Sequence, residues 1–283
     1  MRTLLAIFAV FVMMICSIAP AFAGEAERDI VDRYLKRAKE KHTSRLSWFS
    51  GHFGMNRINR QNDYNKFATN ESGYISNGSL TWLDLASSFG FEAGLIFKEK
   101  IGWSIGGEYW LKLGDNQSGS FDYNPPGGLA TTIDNLKSEV QVWGITTGVQ
   151  YFVFNPPTVN EQLTKPAIRI GGSVGYYQAS WDLWDNYQNL NLATSSSENT
   201  NITYKGTGVG FTANIGGDYP LGWNGLVVGG DIGYLMLNFK NVSWYNSRDE
   251  EVVASFDGTS AGRVNLDLSG IKGRFEIKRF FSW

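Results

Sequence analysis

Few residues in this chain are suited to covalent chemistry. Its 283 residues include two histidines, His42 and His52, and one cysteine, Cys16. Neither histidine sits beside a nucleophile motif, and no H-E-x-x-H metal helix occurs. Asp63, Asp115, Asp122, Asp134, Asp249, Glu250 and Glu251 fall in loop-like stretches, but none forms a D-x-D-x-D-G calcium loop. We therefore expect no catalytic, cofactor or metal site.

What remains is a set of charges at alternate positions within apolar stretches. Read in steps of two, the last stretch opposes Ile271, Gly273, Phe275, Ile277, Arg279, Phe281 and Trp283 to Lys272, Arg274, Glu276, Lys278 and Phe280. Side chains alternate across a strand, so one face is mostly apolar and the other mostly charged. The same reading puts Asp218 on a polar face. Both signs occur on these faces, and buried charges must be paired. The expected lumen network is His52, Glu92, Glu108, Lys112, Arg169, Asp231, Lys272, Arg274 and Glu276.

Positioning these residues takes eight alternating segments, at about Leu46–Arg57, Leu80–Lys98, Ile101–Leu113, Glu139–Phe154, Ala167–Asp182, Lys205–Leu221, Leu226–Trp244 and Val264–Trp283. The parity of the eighth changes near Ser269-Gly270, which predicts a bulge. Tight turns, Lys98–Lys100 and Gly222–Gly225, and a medium one, Asn155–Pro166, alternate with long polar loops at about 58–79, 115–137, 183–204 and 245–261. Either long loop 58–79 or 115–137 has room for a hidden hairpin. Short turns at one rim and long loops at the other fit a barrel that crosses a membrane.

The start of the chain points to export. Arg2, the apolar run Leu4–Ile18 and Ala21-Phe22-Ala23 have the order of a signal peptide, so 1–23 is read as one. Cys16 would leave with it, removing thiolate chemistry. The remainder carries 24 Lys and Arg (25 less Arg2) against 27 Asp and Glu, which gives no basis for binding nucleic acid. Residues 24–43 carry Ile30, Val31, Tyr34, Leu35 and Ala38 at helical spacing, read as a short amphipathic helix or leader. No apolar run long enough for a membrane helix follows.

Ten tryptophans cluster near the segment ends. Trp48, Trp103, Trp223 and Trp283 fall toward the turn end. Trp82, Trp110, Trp143, Trp181, Trp184 and Trp244 fall toward the loop end. Indoles favour the membrane interface, so two aromatic girdles are expected.

These features together resemble small bacterial outer-membrane β-barrel proteins of the OmpA-barrel, OmpX and OmpW type. The resemblance covers about 44–283 and lies in pattern, not in a family-specific motif. It implies an all-β, eight-stranded antiparallel up-and-down transmembrane barrel with periplasmic termini, behind the N-terminal helix. It also implies that the barrel assembly machinery reads Phe275, Ile277, Phe281 and Trp283. The expected role is non-enzymatic: envelope structure and surface interaction, with a lumen filled by polar side chains. The alternatives are a narrow or gated pore for small, even hydrophobic, solutes and, second, a lipid-modifying enzyme. Expected partners are outer-membrane lipid, lipopolysaccharide and an extracellular ligand at the loops, with the chain a monomer.

Overall fold

The computed structural model describes residues 46–59, 83–97, 100–113, 120–123, 131–134, 137–158, 163–184, 202–222, 225–245, 249–252 and 264–282, with positions 62, 65, 75 and 76. The expected leader 1–23 and helix 24–43 lie outside them.

The described strands are β1 (Leu46–Ile58), β2 (Ile75–Ser76), β3 (Leu85–Phe97), β4 (Ile101–Leu113), β5 (Ser120–Tyr123), β6 (Thr131–Asp134), β7 (Lys137–Phe154), β8 (Ala167–Trp184), β9 (Ile202–Pro220), β10 (Leu226–Tyr245), β11 (Glu251–Val252), β12 (Val264–Asp267) and β13 (Gly270–Ser282). Eight of them form one wall. Each pairs antiparallel with the next in the order β1, β3, β4, β7, β8, β9, β10, β13, and β13 pairs back onto β1. The sheet is closed and presents no open edge, the condition for crossing hydrocarbon with strands.

The turns follow local chemistry. Gly222 and Gly225 sit at φ 73° and 76°, where a side chain is disfavoured, and Leu221 N donates to Leu226 O at 3.0 Å to close the β9–β10 connection. Asn155 takes φ 48°, and its Nδ2 donates to Pro166 O at 2.7 Å across the β7–β8 turn. At the other rim the eighth segment breaks between β12 and β13, where the parity change falls. Ser269 Oγ there accepts from Leu237 N at 2.9 Å, replacing a ladder bond.

One expectation needs correction. The second segment begins at Leu85, not Leu80. Leu83 is buried, and Asn65 binds its backbone at both ends: Leu83 N donates to Asn65 Oδ1 at 2.7 Å and Asn65 Nδ2 to Leu83 O at 3.0 Å. Loop 115–137 does contain a hairpin, β5–β6, with β2 added at its side. This small sheet is separate from the wall, so the strand number stays at eight.

The outward faces carry a continuous apolar band. Ile105, Ile145, Phe211, Ile215, Ile232, Met236 and Ile277 are each about half exposed, among many others. So large an exposed apolar surface marks a lipid-facing belt. Thr147 points out into it, and its hydroxyl is satisfied by Ser104 O at 2.9 Å. Replacing Ile105 by Arg should lower stability by about 2–4 kcal/mol, because a cation at mid-depth must leave water. Equilibrium unfolding of Ile105→Arg in lipid vesicles measures this; unchanged stability would mean that β4 faces the other way.

Candidate functional site

The inward faces converge on a belt of charge in the middle of the lumen. β13 contributes Lys272, Arg274, Glu276 and Lys278 at every second position. β10 places Asp231 directly opposite Arg274, and β1 places His52 opposite Glu276. Arg169 on β8 is the hub. Its Nε lies 3.3 Å from Asp218 Oδ2 and its Nη2 3.4 Å from Asp231 Oδ2, and Nη2 also donates to Glu276 Oε1. Lys278 Nζ bridges Asp218 Oδ2 at 3.2 Å and Glu276 Oε1 at 3.3 Å.

Arg274 extends the chain of pairs. Its Nη2 is 2.7 Å from Asp231 Oδ2, and its Nη1 donates to Glu92 Oε2 at 3.1 Å. Trp48 Nε1 donates to the other Glu92 oxygen at 3.3 Å. A second unit stands beside this one. Lys272 Nζ reaches both Glu108 oxygens at 2.6 and 2.7 Å, and Ser88 Oγ donates to Glu108 Oε1 at 2.8 Å. Among the described residues, five carboxylates therefore face four cations, all within a closed wall.

Of the expected network, Glu92, Glu108, Arg169, Asp231, Lys272, Arg274 and Glu276 are brought into ion pairs. His52 lies among them without one, and its Nδ1 has no hydrogen-bond partner. The side chain of Lys112 lies outside the described residues. The network also holds Asp218, which the sequence reading places on a polar face, and Lys278, which lies outside the expected network although alternation places it inward.

A cavity of about 50 Å³ lies beside the belt, with Ser104, Thr146, Gln150, Ser173, Thr212 and Asn214 on its uncharged side. It has room for a few waters. Buried Gln150 Nε2 is without a protein partner and faces this space, as a water-binding donor would.

The lumen is not polar throughout. At the end of the tight turns Leu46, Trp48, Ile96, Phe152, Leu163, Ala167, Val227 and Phe280 form a buried apolar cluster. Leu163 enters it from the β7–β8 turn. Beyond the belt, toward the loop end, Trp110, Tyr177, Trp181, Tyr204, Leu237 and Phe239 are buried, with Trp181 stacked on Tyr204 at 4.6 Å. Glycine makes room for the largest rings: a Cβ on Gly94 would overlap Trp48, and one on Gly144 would overlap Tyr177.

This corrects the girdle expectation. Trp48, Trp110 and Trp181 are at most 1% exposed and point inward, because each has the parity of its strand's lumen face. Trp103 and Trp143 point outward and are exposed. Trp82, Trp223, Trp283 and the side chains of Trp184 and Trp244 lie outside the described residues. Phe275, Ile277 and Phe281 of the terminal signature face outward and are exposed.

Two G-x-S-x-G strings also occur, Gly102–Gly106 and Gly171–Gly175. Both lie mid-strand, in β4 and β8, and Ser104 and Ser173 face the cavity. The nucleophile elbow with that spacing needs a strand-to-helix turn, which is absent at both.

No protein-family model and no curated protein matches the chain. Solved structures do. Neisserial surface protein A matches at 12% identity and a TM-score of 0.37, over 86% of this chain and 98% of that one. A major outer membrane protein from Thermus thermophilus matches at 13% and 0.47, over 85% and 100%. The outer membrane protease OmpT from Escherichia coli matches at 10% and 0.32, over 85% and 96%. These likenesses concern fold and carry no role across.

A closed eight-stranded antiparallel wall, apolar outside and charged within, is the architecture of an integral outer-membrane β-barrel. The chain has that architecture.

Two outcomes follow from the lumen geometry. Lys272→Met should cost about 3–5 kcal/mol, since it leaves Glu108 buried without its cation. Lys272→Met with Glu108→Leu should recover most of that loss, and independent, additive losses in vesicle unfolding would refute the pairing. Brominated lipid should quench Trp103 and Trp143 in single-tryptophan variants and leave Trp48, Trp110 and Trp181 bright. Quenching of Trp48 would contradict its inward facing.

Proposed function

We propose that this protein is a sealed, non-enzymatic outer-membrane barrel that serves envelope structure and surface interaction, with its termini and tight turns toward the periplasm. The observation that carries the reading is the filling of the lumen in three layers. The Trp48–Phe152–Leu163–Phe280 cluster closes the turn end, the charged belt closes the middle, and the Trp110–Tyr177–Trp181–Tyr204 group closes the loop end. An eight-stranded barrel is only wide enough for side chains to fill, which supports the sealed reading.

The loop end supports the surface role. β7–β10 run 18 to 20 residues, whereas β1, β3, β4 and β13 run 13. At about 3.3 Å per residue, β7–β10 are roughly 17–23 Å longer than those four strands. The β2–β5–β6 sheet adds ordered backbone within two of the long loops. These features suit contact with an external ligand. Tight turns, with the start of β1 and the end of β13 at the same rim, support the periplasmic assignment.

Planar-bilayer recording of the full mature chain tests sealing. Protein shown to be folded by heat-dependent gel mobility should give no conductance steps. Reproducible steps from the folded form would replace this reading with conduction.

A further inference from the structure

Glu92 stands between two rings that belong to β1. The β1–β3 register sets Trp48 opposite Gly94, Ser50 opposite Glu92 and His52 opposite Gly90. By parity all six positions face the lumen. A Cβ on Gly94 would overlap the Trp48 indole, and one on Gly90 would overlap the His52 imidazole. Each ring therefore leans across the ladder onto β3, one on either side of Glu92. Trp48 is bound to that carboxylate, Nε1 donating to Oε1 at 3.3 Å. His52 is not, and its Nδ1 is buried without a partner.

The charged groups around His52 decide what a proton there would do. β3 presents Glu92, and β4 presents Glu108, in register with Gly90. β13 presents Lys272, Arg274 and Glu276, while Arg169 and Tyr177 of β8 and Asp231 of β10 line the same cavity as His52. Both cations nearest in sequence register are committed, Lys272 to Glu108 and Arg274 to Glu92 and Asp231. Glu276 Oε2 has no hydrogen bond, but it belongs to β13, and the imidazole leans the other way. Of the two carboxylates on the side toward which the ring leans, Glu108 is held tightly: Lys272 reaches both its oxygens at 2.6 and 2.7 Å, and Ser88 adds a third bond at 2.8 Å. Glu92 Oε1 has only the neutral indole donor at 3.3 Å. It is the carboxylate oxygen that yields at least cost, because a charge-assisted bond is stronger than a neutral one.

A neutral imidazole can remain unpaired at modest cost, whereas an imidazolium in a closed lumen must find an anion. We propose that Glu92 is an acid-sensitive latch on the turn-end layer: protonation of His52 draws Glu92 Oε1 from the Trp48 indole to the imidazolium, and Trp48 is released. Trp48 lies against Phe280, at 6.3 Å between ring centres, and both belong to the apolar cluster that fills the turn end, so its release loosens that layer. Glu92 is bonded to Trp48 and Arg274 and to nothing in the loop-end layer, which therefore stays closed. The latch rests on the sealed reading above and adds to it a condition under which one layer gives way.

The test uses the full mature chain, folded in detergent, with Trp48 kept and the other tryptophans replaced by phenylalanine. Quenching of Trp48 by acrylamide, a water-soluble probe, is measured at pH 7.5 and pH 4. The quenching constant should rise at least twofold on acidification. In the same background His52→Gln should abolish the rise, and His52→Asn should do so independently. Glu92→Gln should leave a constant that no longer depends on pH, since the lever has lost its charge. A rise of less than twofold in the parent overturns the latch. A rise in both His52 variants as large as the parent's overturns His52 as its trigger and the proposal with it. Heat-dependent gel mobility at both pH values confirms that each variant is folded. Planar-bilayer recording at pH 7.5 separates the two readings: conductance steps there end the sealed reading and the latch together, whereas a silent barrel whose Trp48 ignores pH ends the latch alone.

Discussion

The Arg169 guanidinium makes contact with three carboxylates that come from three other strands, Asp218 on β9, Asp231 on β10 and Glu276 on β13. Removing these groups from water is costly, and only mutual pairing offsets that cost. The rest of the belt is arranged so that each of these carboxylates has a further cation. Lys278 takes the second side of Asp218, and Arg274 takes the second side of Asp231 and passes the chain to Glu92 and Trp48. The belt therefore ties strands that are not neighbours in sequence, β3 and β8 with β9, β10 and β13, and fixes how they meet across the lumen. Backbone ladders alone set the pairing of adjacent strands; they do not fill the middle.

Much of this was legible in the chain because strand parity is strict. A residue two positions from an inward charge is itself inward, so Arg274 and Glu276 follow from Lys272. That rule located the belt and the apolar outer faces, and it bounded Ile101–Leu113 as the strand runs. Partners were less legible. Which carboxylate Arg169 meets depends on shear between strands, which alternation does not encode. The tryptophans show a competition between two rules. Preference of indole for the interface argues for outward girdles, but parity places Trp48 with Ser50 and His52, and parity prevails because the backbone cannot rotate one residue alone. The glycines across from these rings were the available signal: Gly94 leaves the space that Trp48 fills. The β5–β6 hairpin stayed hidden because four-residue strands are too short to display a period.

The layering also explains why the belt tolerates so much charge. Apolar side chains at both ends keep bulk water from the ion pairs, which strengthens each pair and makes loss of a partner more damaging. The apolar ends gain in turn. Trp48 is held by Glu92 through its Nε1 and lies against Phe280, with Lys278 Nζ 5.9 Å from its ring centre. Charge and hydrocarbon are thus coupled at a single residue. Opening the turn end would swing Trp48 away from Glu92 and leave Arg274 with a loosened partner, so one layer resists opening without the next.

On the sealed reading proposed above, the molecule keeps few surfaces on which to act. The apolar band is committed to lipid chains, and the interior to its own pairing. What remains is the loop end, where the wall rises on β7–β10 and charges first reappear outside. Both signs reappear at this rim, Arg57, Lys205 and Lys240 together with Asp182, Asp267 and Glu251. The same residue types differ by position: inward they stabilise the barrel by satisfying each other, and outward they stand beyond the apolar band.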